Sequence, residues 1–163
     1  MERSNKKLEI TDLKEVLKLA KTDVESFFKR KPQYGKYLGT EVLIALCQGA
    51  ALHYLDETNG IKDFDIWFFF PDYSPRLPCR RRAKIDFGES KFGVHPEDKN
   101  RGFKGRRIDV LMRSDRHFLG ISPDDELAHY LENARTETSK HLAAKAVIGL
   151  YPDNLLGKTL WPR

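Results

Sequence analysis

Gln48-Gly49-Ala50 closes the apolar run Glu41-Val42-Leu43-Ile44-Ala45-Leu46-Cys47. Twelve residues later, Asp63-Phe64-Asp65-Ile66 opens the apolar stretch Trp67-Phe68-Phe69-Phe70. Arg107-Ile108-Asp109-Val110-Leu111 then repeats the theme of one acid inside an apolar strand. Acids in apolar strands are costly unless they bind something. Side chains alternate along a strand, so Asp63 and Asp65 share a face with Trp67 and Phe69, while Phe64, Ile66, Phe68 and Phe70 take the core face. In the later strand Ile108, Val110 and Met112 form one apolar face, and Arg107, Asp109, Leu111 and Arg113 form the other. If the two strands lie side by side, three carboxylates project from one surface. Like charges that close require a counter-ion, and oxygen donors of this type suit Mg2+ or Mn2+ and, through the metal, a nucleoside triphosphate.

Working outward, the spacing predicts a helix over 11–20 and a second short one over 22–29, broken by Pro32 and Gly35. Residues 42–47 read as a strand, 50–57 as a short helix ending at Asn59-Gly60, and 64–70 as the central strand. Three prolines make 71–78 an irregular loop, with strands following over 84–87 and 107–113. Ser122-Pro123-Asp124-Asp125 is a strong helix start, carrying that helix to about 134. A last helix is expected over 139–150, stopped by Pro152. The order reads as α+β: one domain over 1–163 with a mixed sheet and helices packed on one face. Its N-terminal helices fall in 8–31, its core in 36–115 and its C-terminal helices in 122–151.

A chain of 163 residues supports a real core, and it holds no run of eighteen apolar residues, so no membrane span is expected. Residues 1–7 lack a following apolar segment of the secretory kind, and Cys47 and Cys79 make no metal pattern; both point to a cytoplasmic protein. The net charge of +5 concentrates between Arg76 and Arg113. A basic segment beside a carboxylate cluster points to a polyanionic ligand, with Arg80, Arg81, Arg82 and Lys84 as the residues that would receive it. The plainer reading is a solvated hairpin.

The pattern resembles the nucleotidyltransferase fold of DNA polymerase beta and the minimal bacterial nucleotidyltransferases. There an apolar residue, Gly, and Gly or Ser precede a helix, an acid-apolar-acid strand and a third acid on a later strand. Gly49, Asp63, Asp65 and Asp109 fall on those places, over roughly residues 36–115. The resemblance implies metal-dependent transfer of a nucleoside monophosphate from an NTP to an acceptor hydroxyl. One Mg2+ would bridge Asp63, Asp65 and the triphosphate, and a second would sit on Asp63, Asp65 and Asp109. Gln48, Gly49 and Ala50 would form the phosphate turn. Ala50 departs from the pattern, since it offers no hydroxyl, and phosphate contact there would rest on backbone N–H groups. The implied partners are an NTP, an RNA or other polyanionic acceptor, and a protein partner.

Other patterns compete. Asp72 with Glu89 and Lys91 matches the short acid and acid-x-lysine spacing of a metal-dependent nuclease. Asp86 is a spare acid that could replace Asp109, or pair with nearby arginines. His53, His95, His117, His129 and His141 show no metal spacing and read as surface residues. Trp67 and Tyr73 could stack on a base, with core packing the default for Trp67. The alternative from another class is a non-catalytic nucleotidyltransferase-like module that binds nucleic acid or a protein.

Overall fold

The computed structural model describes residues 3–78, 80–115 and 122–163, with the backbone alone for residues 80–83. The chain runs α1 (Ile10–Arg30), a 3-10 turn (Pro32–Tyr37), β1 (Leu43–Cys47), α2 (Gln48–Asp56), β2 (Phe64–Phe70), β3 (Arg80–Asp86), α3 (Pro96–Asn100) and β4 (Arg107–Ser114). It continues through α4 (Pro123–Glu132), α5 (Glu137–Ala143), β5 (Val147–Tyr151), a second 3-10 turn (Asp153–Leu155) and β6 (Thr159–Trp161).

The first helix is continuous, where two were expected. A reciprocal cap between Glu9 and Asp12 starts it, and Leu13, Val16, Ala20, Val24, Phe27 and Phe28 bury one stripe. Thr22 does not interrupt it, because its hydroxyl donates to the Lys18 carbonyl one turn back (3.0 Å).

The sheet is mixed, with strand order β3-β4-β2-β1-β5-β6. Only β2 and β4 pair in parallel; every other neighbouring pair is antiparallel. Central β2 is buried at all seven positions, as a strand that is apolar on both faces apart from Asp65 requires. Its two faces feed two cores. Phe64, Ile66, Phe68 and Phe70 pack with Ile108, Val110 and Met112 against α1 and α2. Trp67 and Phe69 pack with Leu43, Ala45 and Val147 against Leu127 and Leu131 of α4 and Leu142 of α5. The α+β class and the mixed sheet are as the sequence predicts. Helices cover both faces rather than one, because the second face of β2 is also apolar.

The expectation for 139–150 needs correction as well. Its helix stops at Ala143, and Val147–Tyr151 forms β5, pairing with β1 from Cys47↔Val147. The C-terminal region therefore adds two strands, β5 and β6, to the sheet. Strand β3 is longer than expected and starts at Arg80. The proline-rich loop over 71–78 is irregular as predicted, and buried Tyr37 clamps it. The Tyr37 hydroxyl accepts from the N–H groups of Tyr73 (3.1 Å) and Leu77 (3.0 Å) and offers its proton to the carbonyls of Tyr73 and Pro75. Among the described residues no helix is long and apolar enough to cross a membrane.

Candidate metal centre

The parallel pairing of β2 and β4 assembles the acids. Its register sets Phe64 beside Ile108 and Asp65 beside Asp109, so Asp63, one residue before β2, falls beside Arg107. A carboxylate oxygen from each of Asp63, Asp65 and Asp109 lies within 4.8 Å of the others. Asp65 and Asp109 are buried, at 7% and 4% exposure, so their charge is held away from bulk water. Strand β1 runs antiparallel to β2 with Cys47 opposite Asp65, which delivers the Gln48-Gly49-Ala50 turn and the start of α2 to the same sheet end. Cys47 registers the acids: burial first, and then the Asp65 carboxylate, push its thiol pKa well up.

Among the described residues, Arg107 supplies a counter-ion. Arg107 Nη2 donates to Asp63 Oδ2 (3.0 Å) and Asp109 Oδ2 (3.2 Å). Its Nε stands 2.9 Å from Asp109 Oδ1, an ion-pair contact without hydrogen-bond alignment. Nη1 lies 3.5 Å from Asp98 Oδ1. Burial alone would lower the Arg107 pKa, but Asp109, Asp63 and Asp98 outweigh it and hold the guanidinium above its ordinary value. Arg107 alone does not neutralise three carboxylates. Three carboxylate oxygens are hard donors suited to Mg2+ or Mn2+. The donor set therefore fits such an ion.

Asp63 and Asp65 open onto a cavity of about 440 Å³, whose walls also include Gln48, Gly49, Ala50, Trp67, Leu111, Arg3, Lys62 and Lys145, with Glu137, Thr138 and His141 from α5. Trp67 packs in the core, its default reading, and also lines the cavity. It is buried and stacked on Phe69 (5.7 Å between ring centroids), and one edge of it reaches the cavity. The sequence singled out the turn and the acids. It gave no signal for Arg3, Lys62, Lys145 or the α5 residues, which arrive through long-range pairing. Arg107 was legible as a same-face neighbour of Asp109, though not as the residue that spans two acids.

The competing constellations do not assemble. Asp72 pairs with Arg76 and Ser114, whereas Lys91 sits on Glu9 and Asp12 at the start of α1. Asp86 accepts backbone N–H groups of Gly88, Lys104 and Gly105, so it is a turn-forming acid and neither a third ligand nor an arginine partner. Two histidines read as surface residues are buried, His53 and His95. His53 Nε2 donates to the Lys6 carbonyl (2.9 Å) while Nδ1 accepts from Gly60 N–H (2.9 Å), tying the N-terminal segment to α2. Lys84 lines a separate groove with Lys18 and Thr22 of α1. The side chains of Arg80, Arg81 and Arg82 lie outside the described residues, as does His117. Comparisons of the chain with protein-family models, with curated proteins and with solved structures return no match.

Proposed function

We propose that the protein is a metal-dependent nucleotidyltransferase that moves a nucleoside monophosphate from an NTP to an acceptor hydroxyl. The observation that carries this reading is the convergence of Asp63, Asp65 and Asp109 within 4.8 Å, with Asp63 and Asp65 lining a cavity shared with the Gln48-Gly49-Ala50 turn. In the reaction the acceptor oxygen bonds to the α-phosphorus as its proton passes to water, the bond between the α-phosphorus and the bridging oxygen breaks, and pyrophosphate leaves with the electron pair. Mg2+ or Mn2+ held by Asp63, Asp65 and Asp109 would supply the positive charge that polarises the phosphates and acidifies the acceptor hydroxyl. The remaining work falls to the chain. The paired strands β2 and β4 fix the carboxylates before any ligand arrives, which keeps reorganisation small. The first N–H groups of α2 would bind the phosphates, and Trp67 with Leu111 gives an apolar stretch of the cavity wall that would limit water.

The test is pyrophosphate release and label transfer from each of the four α-labelled NTPs, with Mg2+ or Mn2+, offered total RNA, total protein and small hydroxylated acceptors. Metal-dependent transfer that disappears in Asp65→Asn supports the reading. Absence of transfer to every acceptor class, with the folded protein indifferent to metal, refutes it.

Arg107 favours a second reading, a nucleotidyltransferase-like binding module without catalysis. It spans Asp63 and Asp109, the two acids that would otherwise face a metal together. In that case Arg107 is the permanent counter-ion, and Mn2+ neither binds nor stabilises the chain.

A further inference from the structure

We propose that Arg3, Lys62 and Lys145 form, with the amino end of α2, a polyphosphate-binding wall facing the carboxylates across the same cavity. The inference deepens the nucleotidyltransferase reading and rests on it for the nucleotide.

Lys7, Arg76, Lys91, Arg101 and Arg107 each reach a carboxylate within salt-bridge distance. Among the described residues, Arg3, Lys62 and Lys145 form no salt bridge, although Asp63, Asp65 and Glu137 line the cavity with them. Three cations converging on a concave surface repel one another and raise the local concentration of anions.

Topology brings them there. Ser4 and Ile61 exchange backbone hydrogen bonds (2.9 and 2.7 Å), which sets Arg3 beside Lys62. Cys47 pairs with Val147, so Lys145, just ahead of β5, arrives at the sheet end that carries the turn. Arg3 is also packed into position. A Cβ at Gly60 would lie 2.8 Å from Arg3 Cβ, and one at Gly49 would lie 3.4 Å from Arg3 Nη1. The guanidinium thus stands against the turn itself, yet its one hydrogen bond is a long 3.4 Å contact to the Gly60 carbonyl.

The turn adds donors. No side chain caps the start of α2, and Gln48 there takes a left-handed conformation (φ 62°). Gln48 is only 8% exposed, on the cavity wall, and its Oε1 has no hydrogen-bond partner. A ligand that meets cations and N–H groups on one wall and a metal-binding carboxylate set on the other is a metal-bound polyphosphate.

The test is calorimetric titration of the full chain with inorganic tripolyphosphate, once with EDTA and once with Mg2+. Arg3→Gln and Lys145→Ala should each weaken binding about 10-fold or more, the usual loss for a charge-assisted contact. Lys36→Ala, on the Pro32–Tyr37 turn and outside the cavity lining, should leave binding unchanged. Lys145 is exposed, so its truncation leaves the fold intact if melting of Arg3→Gln reveals a loosened N-terminus. Failure of the wild type to bind tripolyphosphate overturns the proposal. So does wild-type affinity in both variants, or an equal loss in Lys36→Ala. Should the wall bind as described while Asp65→Asn leaves Mn2+ binding intact, the transferase reading falls and the polyphosphate wall stands.

Discussion

Arg107→Met removes the only cation that touches Asp63 and Asp109 together among the described residues, while keeping most of the side-chain volume. The loss can be sized from the contacts. Breaking a buried ion pair from one side costs about 3–5 kcal/mol, because the abandoned charge stays buried. Arg107 is 21% exposed and Asp63 19%, with Asp109 at 4%, so water screens part of the cluster and the lower figure applies, about 3 kcal/mol. For a domain of this size that lowers Tm by roughly 6–12 °C. The same substitution removes a positive charge that competes for these carboxylates, so a divalent cation should bind more tightly than in wild type. At a hundredfold excess over Kd, Mn2+ restores about 2.7 kcal/mol, nearly the whole deficit. Thermal melts of both proteins in EDTA and across a Mn2+ series read both quantities. A Tm within about 1 °C of wild type in EDTA would show that Arg107 is not the counter-ion. A large drop that Mn2+ does not repair would show that the acids are not a metal site.

Gly105→Ala should destabilise severely, because the added Cβ would lie 2.0 Å from the Gly88 carbonyl oxygen, and backbone cannot step aside; loss of soluble, cooperatively melting protein is expected, and a wild-type Tm would contradict the packing. Tyr37→Phe leaves the N–H groups of Tyr73 and Leu77 without their acceptor and should cost roughly 2 kcal/mol by urea unfolding, with earlier proteolysis of the 71–78 loop. Burial and Asp65 raise the Cys47 pKa, so the native thiol stays protonated and should resist alkylation at pH 8, as mass mapping of that cysteine would show. The linkage has a definite sign: stability tied to Cys47 is complete below the unfolded thiol pKa and declines as pH rises above it, because only the unfolded chain then releases the proton. Fast native labelling of Cys47 at pH 8 would refute its burial.

The site was legible where chemistry and local pattern coincide. The boundaries of the strand over 64–70 are legible in the sequence, because five consecutive apolar residues, 66–70, behind the acid pair leave little alternative to a central strand. The shared face of Asp63, Asp65 and Asp109 followed from alternation alone, and the parallel register supplies the contact that alternation cannot. What failed depended on distant partners. Val147–Tyr151 follows a helical stretch and contains Gly149, and only pairing with β1 makes it a strand. His53 resembled a surface residue of a short helix, yet its two ring nitrogens are spent on Lys6 and Gly60, which local sequence does not announce. The cations of the cavity come from three separate places in the chain, so spacing could not reveal them.

The central claim is that Asp63, Asp65 and Asp109 bind a divalent metal together with a nucleotide. Mn2+ electron paramagnetic resonance, with and without an NTP, reads it directly. The account predicts that wild type removes Mn2+ from the free pool, that NTP tightens this binding, and that Asp65→Asn and Asp109→Asn each abolish it while melting cooperatively. Free Mn2+ unchanged by wild-type protein in the presence of NTP, or binding retained in both variants, would contradict it.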